Sequence, residues 1–188
     1  MSSPEVDHPS PWPADTGRRA TVLDSAMLTF ARFGYRKTSM EEVARAARIS
    51  RPGLYFLFSS KETLFRAAVG QALDRDLAAV EAVLADPGKP LRDRLVEAFD
   101  NWAGRYVGPL TSDVAIVIDD NPDLLGEVIE TPRRRFEELI TDAIATESDR
   151  EVALAQTMIS TSIGLKHQVS SREAYLERLK VAIDLLLR

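Results

Sequence analysis

From Arg18 onward the apolar residues recur at helical spacing: Leu23, Ala26, Met27, Phe30 and Phe33 line one face, and Gly34 marks its end. Thr38-Ser39-Met40-Glu41-Glu42 carries two overlapping capping signatures, Thr38 to Glu41 and Ser39 to Glu42. A short second helix therefore starts there, with Met40, Val43, Ala44 and Ala47 on one side and Ile49 in the turn that follows. Ser50 offers an N-cap to a third short helix, Arg51-Pro52-Gly53-Leu54-Tyr55-Phe56-Leu57-Phe58. Ser59-Ser60-Lys61-Glu62 then opens a long helix with Leu64, Phe65, Ala68, Leu73, Leu77, Val80 and Leu84 on its buried stripe.

Asp86-Pro87-Gly88-Lys89-Pro90 stops that helix. The next runs from Leu91 to about Val107 and is broken by Gly108-Pro109. Residues 111–119 are rich in Val and Ile and fit a strand by pattern, but no partner strand exists elsewhere, which favours a helix. Leu124 to Ala145 reads as a helix that Pro132 should kink or restart. Two further helices cover 151–169 and 172–187, joined by Val169-Ser170-Ser171. The expected fold is all-α with about nine helices. Residues 1–16, Pro-rich and polar with Trp12 as a lone large hydrophobe, read as a flexible tail; 17–62 form one helical domain and 63–188 a second.

The third helix is the odd one. It is too short to hold itself by propensity, it carries Pro and Gly side by side, and three aromatics crowd four positions. Leu54, Leu57 and Phe58, at i, i+3 and i+4, anchor it and leave Tyr55 and Phe56 facing outward. Three short helices with a tight turn between the second and third outline a helix-turn-helix, whose second member enters the DNA major groove. On that reading Pro52 pre-sets the first turn, Gly53 leaves room for a close approach, and Arg51 and Lys61 flank the element with positive charge.

Charge supports a polyanionic partner for this segment alone. The chain has a net charge of −5, yet residues 16–61 hold nine Lys or Arg against Asp24, Glu41 and Glu42, while 62–188 carry 15 basic against 23 acidic residues. Without cysteines the chain has no disulfide, thiolate metal site or Cys nucleophile, a composition compatible with a cytoplasmic protein. The longest uncharged run, Val152 to Leu165, is too short to span a bilayer, so no membrane partner is expected.

Phe33-Gly34-Tyr35, Thr38-Ser39-Met40-Glu41-Glu42-Val43-Ala44, Ile49-Ser50, Leu54-Tyr55-Phe56 and Phe58-Ser59-Ser60-Lys61-Glu62-Thr63-Leu64-Phe65 resemble, in order and spacing, the N-terminal domain of the TetR family of transcriptional repressors. The likeness covers about a quarter of the chain; the remainder fits only as an all-α regulatory domain of suitable length. Two positions depart from the family pattern. Arg48 stands where a turn glycine is usual, and Leu57 where a histidine often contacts phosphate. The resemblance implies a non-enzymatic regulator: a repressor that binds a palindromic double-stranded DNA operator as a homodimer and is released by a small-molecule effector. It implies DNA contacts from Thr38, Ser39, Arg48, Ser50, Arg51, Pro52, Gly53, Tyr55, Phe56 and Lys61, with no cofactor and no metal.

Two features of the C-terminal half bear on that expectation. Tyr175, Leu176, Leu179, Ala182, Ile183 and Leu186 form one stripe of the last helix, widened by Val181, Leu185 and Leu187, and the preceding helix has small residues at Ala153, Ser160 and Gly164. These suggest a four-helix dimer interface through Ser160, Gly164, Tyr175, Leu179, Ile183 and Leu186; burial within one chain is the other reading. Phe99, Trp102 and Tyr106 share a face that Met158 and His167 could oppose, either as a ligand pocket or as plain core. A helical ligand-binding protein or an adaptor that does not bind DNA also fits the residues. No nucleophile–base pair, metal cluster or phosphate loop supports an enzyme.

Overall fold

The computed structural model describes residues 15–108, 112–145 and 150–188. Among them are ten α-helices and no strand: α1 (Asp15–Phe33), α2 (Met40–Ala46), α3 (Arg51–Leu57), α4 (Lys61–Leu84), α5 (Leu91–Trp102), α6 (Ser112–Asp119), α7 (Pro122–Leu125), α8 (Glu127–Ile144), α9 (Glu151–Gln168) and α10 (Arg172–Leu186). Most of the expected tail, Trp12 included, lies outside the described residues. Its last two residues belong to α1, which begins at Asp15.

The apolar stripes converge on two cores. The first gathers Leu23, Met27, Phe30, Val43, Leu54, Phe58, Leu64 and Phe65 with Val117, Leu125 and Ile129 from α6–α8. The second gathers Val80, Leu84, Leu95, Phe99, Phe136, Ile140, Met158, Tyr175, Leu179 and Ile183. Helix α4 enters both: its first turns supply Leu64, Phe65, Ala68 and Val69 to one core, and its last turns supply Val80 and Leu84 to the other. Its 24 residues span about 36 Å at the helical rise, long enough to join the two.

Local chemistry moves several boundaries from where pattern alone put them. Residues 111–119 contain helix α6, as the lack of a partner strand favoured. The fifth helix ends at Trp102 rather than near Val107, and Gly104–Tyr106 form a separate 3-10 turn. Gly104 is there for lack of space: a Cβ would lie 2.5 Å from Asp100 Oδ1 and 2.9 Å from the ring of Tyr175. The break before α8 falls at Gly126, in a positive-φ conformation (φ 45°), while Pro132 is accommodated inside a continuous α8 with its ring buried. That extra break is why ten helices stand where about nine were expected.

The turn between α2 and α3 explains the Arg48 departure. Arg48 N–H donates to Arg45 O (3.1 Å) and Ile49 N–H to Ala44 O (3.0 Å), the paired bonds of a Schellman motif. That motif requires a left-handed residue just past the helix, and Arg48 fills it at φ 55°, the one positive-φ residue other than glycine among those described. A side chain in this region costs about 1–2 kcal/mol, partly offset by the lower chain entropy that a non-glycine residue gives the unfolded state. Arg48→Gly is therefore expected to raise unfolding stability by about 0.5–1 kcal/mol, read as a higher urea midpoint with unchanged slope. A lower midpoint would mean the strain is relieved in some other way.

Candidate functional site

Ser39 caps α2 reciprocally. Its Oγ accepts from Glu42 N–H (3.2 Å), and its own N–H donates to Glu42 Oε2 (2.7 Å). That backbone bond, with the Ser39 hydroxyl, holds the Glu42 carboxyl below its usual range. Thr38 is not a second cap. Its side chain is only 2% exposed, and Oγ1 donates to Gly34 O (2.9 Å), which ties the end of α1 to the start of α2. The expected phosphate contact from the Thr38 side chain is thereby corrected: the hydroxyl faces inward.

Ser50 caps α3, its Oγ accepting from Gly53 N–H at 3.1 Å. A Cβ on Gly53 would approach that same oxygen to 3.0 Å, so glycine suits the cap as well as any close approach to DNA. Leu54 and Phe58 are fully buried and Leu57 packs half-buried at the core edge. Arg19 stacks over the Phe58 ring (4.4 Å), clamping the far end of α3 from α1. On the opposite side Tyr55 is 43% exposed and Phe56 85% exposed. Arg51 lies over Tyr55 at 5.7 Å, and Arg48, Ser50, Arg51 and Pro52 share that solvent side. A seven-residue helix thus has one face locked and one face free.

Lys61 occupies a different place from the one its charge suggested. Its Nζ donates to Tyr35 O (3.0 Å) and Arg36 O (3.3 Å) and sits 4.5 Å above the Tyr35 ring. Its ammonium therefore braces the α1–α2 loop, engaging there two of the three donors that a phosphate contact would draw on. The cap of α4 is Ser60, which accepts from Thr63 N–H (3.0 Å), and not Ser59 with Glu62. Tyr35, Phe30 and Phe65 form a ring cluster with centroids 4.9–5.9 Å apart; burial and the nearby Glu62 carboxylate push the Tyr35 hydroxyl upward.

Behind this domain lies a cavity of about 670 Å³, lined by Phe99, Trp102, Tyr106 and His167 among others. These four of the five pocket candidates come together. Met158 does not join them; it is buried in the second core. Two residues that pattern reading passed over complete this region. Asp76, on α4 one turn after the cavity-lining Ala72, is 1% exposed and accepts from Arg105 (2.9 Å) and from the Tyr106 hydroxyl (2.5 Å). Burial raises the Asp76 carboxyl above its usual range, opposed by those two donors. Burial, and donation to that carboxylate, push the Tyr106 hydroxyl up as well. The signal was present: an aspartate within the run Ala72, Asp76, Val80, on a stripe otherwise apolar.

The C-terminal stripe is also redistributed. Tyr175, Leu179 and Ile183 are fully buried within the protomer, and Leu186 packs half-buried on the same core. The Tyr175 hydroxyl bonds Ser162 (2.7 Å), and burial pushes its pKa up to about 12. Tyr175, Leu179 and Ile183 are thereby removed from the expected dimer face, since their partners lie in their own chain, while Leu186 keeps part of its surface exposed. Exposed on α9 are Ser160 and Ile163 among others, and on α10 Val181 and Leu185, with Gly164 half-buried and open space where its Cβ would be.

Residues 22–68, from within α1 into α4, match the family model of bacterial regulatory proteins, tetR family. This segment belongs to the TetR family of transcriptional regulators. The chain's similarity to the Escherichia coli K12 transcriptional regulator RutR is 36% identity over 73 residues, 39% of this chain and 34% of RutR. With the transcriptional repressor ComR of the same organism it is 31% over 121 residues, 62% of this chain and 57% of ComR. The chain thus spans about a third to just over half the length of these curated relatives. Among solved structures, a TetR-family protein from Mesorhizobium loti MAFF303099 superposes with a TM-score of 0.80 at 16% identity, covering 94% of this chain and 98% of that one. At that identity the likeness speaks for the fold, N-terminal helix-turn-helix and helical C-terminal part alike. The family is one of regulators, not enzymes. No described helix is long and apolar enough to cross a membrane.

The Asp76 arrangement has a pH signature. Its raised folded-state pKa means that ionisation opposes folding, a cost absent at low pH that appears as pH rises through that value. Tyr106→Phe removes a donor from the ionised carboxylate and is expected to cost about 1–3 kcal/mol at neutral pH. The gap between variant and parent should shrink as pH falls through the carboxylate range, because protonation of Asp76 removes the ionised acceptor that the hydroxyl serves. Urea melts across pH check this; a pH-independent gap would mean the hydroxyl acts only through packing.

Proposed function

We propose that this TetR-family chain is a ligand-responsive repressor that binds a palindromic double-stranded DNA operator as a homodimer and is released by a small-molecule effector. The observation that carries the reading is the free face of α3: Arg51, Pro52, Tyr55 and Phe56 stand exposed on a helix whose other side is locked by Leu54, Phe58 and Arg19. A recognition helix needs that division, because groove contacts discriminate only when the element is held rigidly. Ser39 and Arg48 are exposed as well, and the surrounding segment is basic in an acidic chain. The relatives RutR and ComR carry regulator and repressor as their descriptions, which supports the same role here.

The cavity supports the effector half of the reading. It touches α4 at Ala72 and Leu73, and α4 begins at the end of the recognition helix, so a molecule filling the cavity bears on the helix that carries the DNA-binding domain. An effector that fits only a conformation with misplaced recognition helices lowers operator affinity by population shift. In the dimer the two α3 helices must lie about 34–36 Å apart, or a near multiple, to read successive major grooves.

DNA from the protein's own upstream region, titrated across a salt series, should give a specific complex whose affinity falls steeply with salt. Arg51→Ala or Tyr55→Ala should weaken it by about 1–3 kcal/mol. Weak, sequence-independent binding with both variants equal to the parent would overturn the interface. Light scattering should show a dimer at micromolar concentration, and Ile163→Glu or Val181→Glu, at exposed positions harmless to the protomer core, should yield monomers. A parent chain that is already monomeric would exclude the dimer.

A further inference from the structure

The lining of the cavity indicates what kind of molecule it accepts. We propose that it binds a planar aromatic ligand carrying one anionic group, with the ring system against Trp102 and the anion at Arg134. The inference rests on the reading of this cavity as the effector site.

The shape follows from the aromatic wall. Trp102 and Phe136 stack with centroids 4.8 Å apart and planes within 9°, and Phe99 meets Phe136 edge-on at 5.2 Å and 86°. Phe99 and Phe136 are buried, whereas Trp102 is half-buried and borders the cavity. A flat ring laid on the indole continues a stack already two members deep, and offset stacking adds to the apolar area removed from water. Ala72, Leu73, Ile129 and Ile159 make the rest of the floor apolar, and about 670 Å³ lies in the range of small-molecule sites.

The charge follows from which ionised groups already have partners. The wall holds three acids. Glu130 is paired with Arg133 (3.3 Å), Asp119 with Lys166 (3.7 Å), and Glu137 accepts from Gln156 (3.0 Å). Arg134, which also lines the cavity, has no hydrogen-bond or ion-pair partner among the described residues. A cationic ligand would find Glu130 and Asp119 already ion-paired and only Glu137, held by a neutral amide, left to meet it, with a guanidinium of like charge in the same wall. A carboxylate would complete the guanidinium fork, with Lys166, held only at the limit of ion-pair distance, close by.

The test uses the full chain and three matched probes, 2-naphthoate, 2-naphthamide and 2-naphthylmethylamine, measured by calorimetry. The naphthoate should bind at least about tenfold more tightly than the amide, and the ammonium more weakly than either. Arg134→Gln, an exposed substitution that leaves the fold intact, should bring the naphthoate to the amide's affinity without changing the amide. Trp102→Leu should weaken both. The proposal is overturned if the ammonium binds tightest, if the carboxylate preference survives Arg134→Gln, or if none of the three binds at millimolar concentration. Operator binding by the same samples keeps the two readings apart. Intact operator binding without probe binding removes this inference alone, whereas charge-selective probe binding without operator binding removes the repressor reading and leaves the site.

Discussion

The arrangement depends on one helix being buried in two cores at once. Leu64, Phe65, Ala68 and Val69 of α4 hold the helix-turn-helix, and Val80 and Leu84 hold the C-terminal bundle. At about 1.5–3 kcal/mol for each fully buried large apolar side chain, neither end can be withdrawn cheaply, so the two parts share a rigid strut. Between the ends sits Asp76, a carboxyl group in a place that disfavours charge, kept there by Arg105 and Tyr106. The same two residues form the turn after α5, and Tyr106 faces the cavity. The polar flaw in the strut is thereby also its contact with the cavity wall.

At the other end, α3 shows how a weak element is made rigid while one of its faces stays exposed. Its cap comes from Ser50, its inner face from Leu54 and Phe58, and its lateral clamp from Arg19 on α1. The turn that sets its angle is closed by a Schellman pair around Arg48, a residue that tolerates the left-handed region at a cost. Lys61 and Thr38, which by charge and type resemble phosphate ligands, instead close the α1–α2 loop through carbonyl oxygens. The exposed face of α3 is held in shape partly by residues that do not reach it.

Much of this was legible in the amino-acid order. Capping serines at 39 and 50, the i, i+3, i+4 anchors of α3 and the isolated basic segment identify the helix-turn-helix because each depends on interactions within a few residues. So did the all-α class, since helical periodicity is local. The errors were of another kind. An amphipathic stripe shows that a face is covered, not by what, and so Tyr175, Leu179 and Ile183 look like dimer contacts until α5 and α9 are seen to cover them. Met158 is indistinguishable in pattern from a cavity residue, and lies in the core.

The sequence by itself therefore determined the elements, their caps and the family of the N-terminal domain, all through short-range hydrogen bonds and spacing. Tertiary structure alone decided which side chains meet: that Lys61 turns back to Tyr35, that Asp76 finds Arg105 and Tyr106, and that Trp102 and Phe136 stack in the wall that Arg134 also lines. These contacts join residues roughly 26 to 34 positions apart. Their partners are selected by how helices pack, and helix packing is a property of the assembled stripes rather than of any one of them.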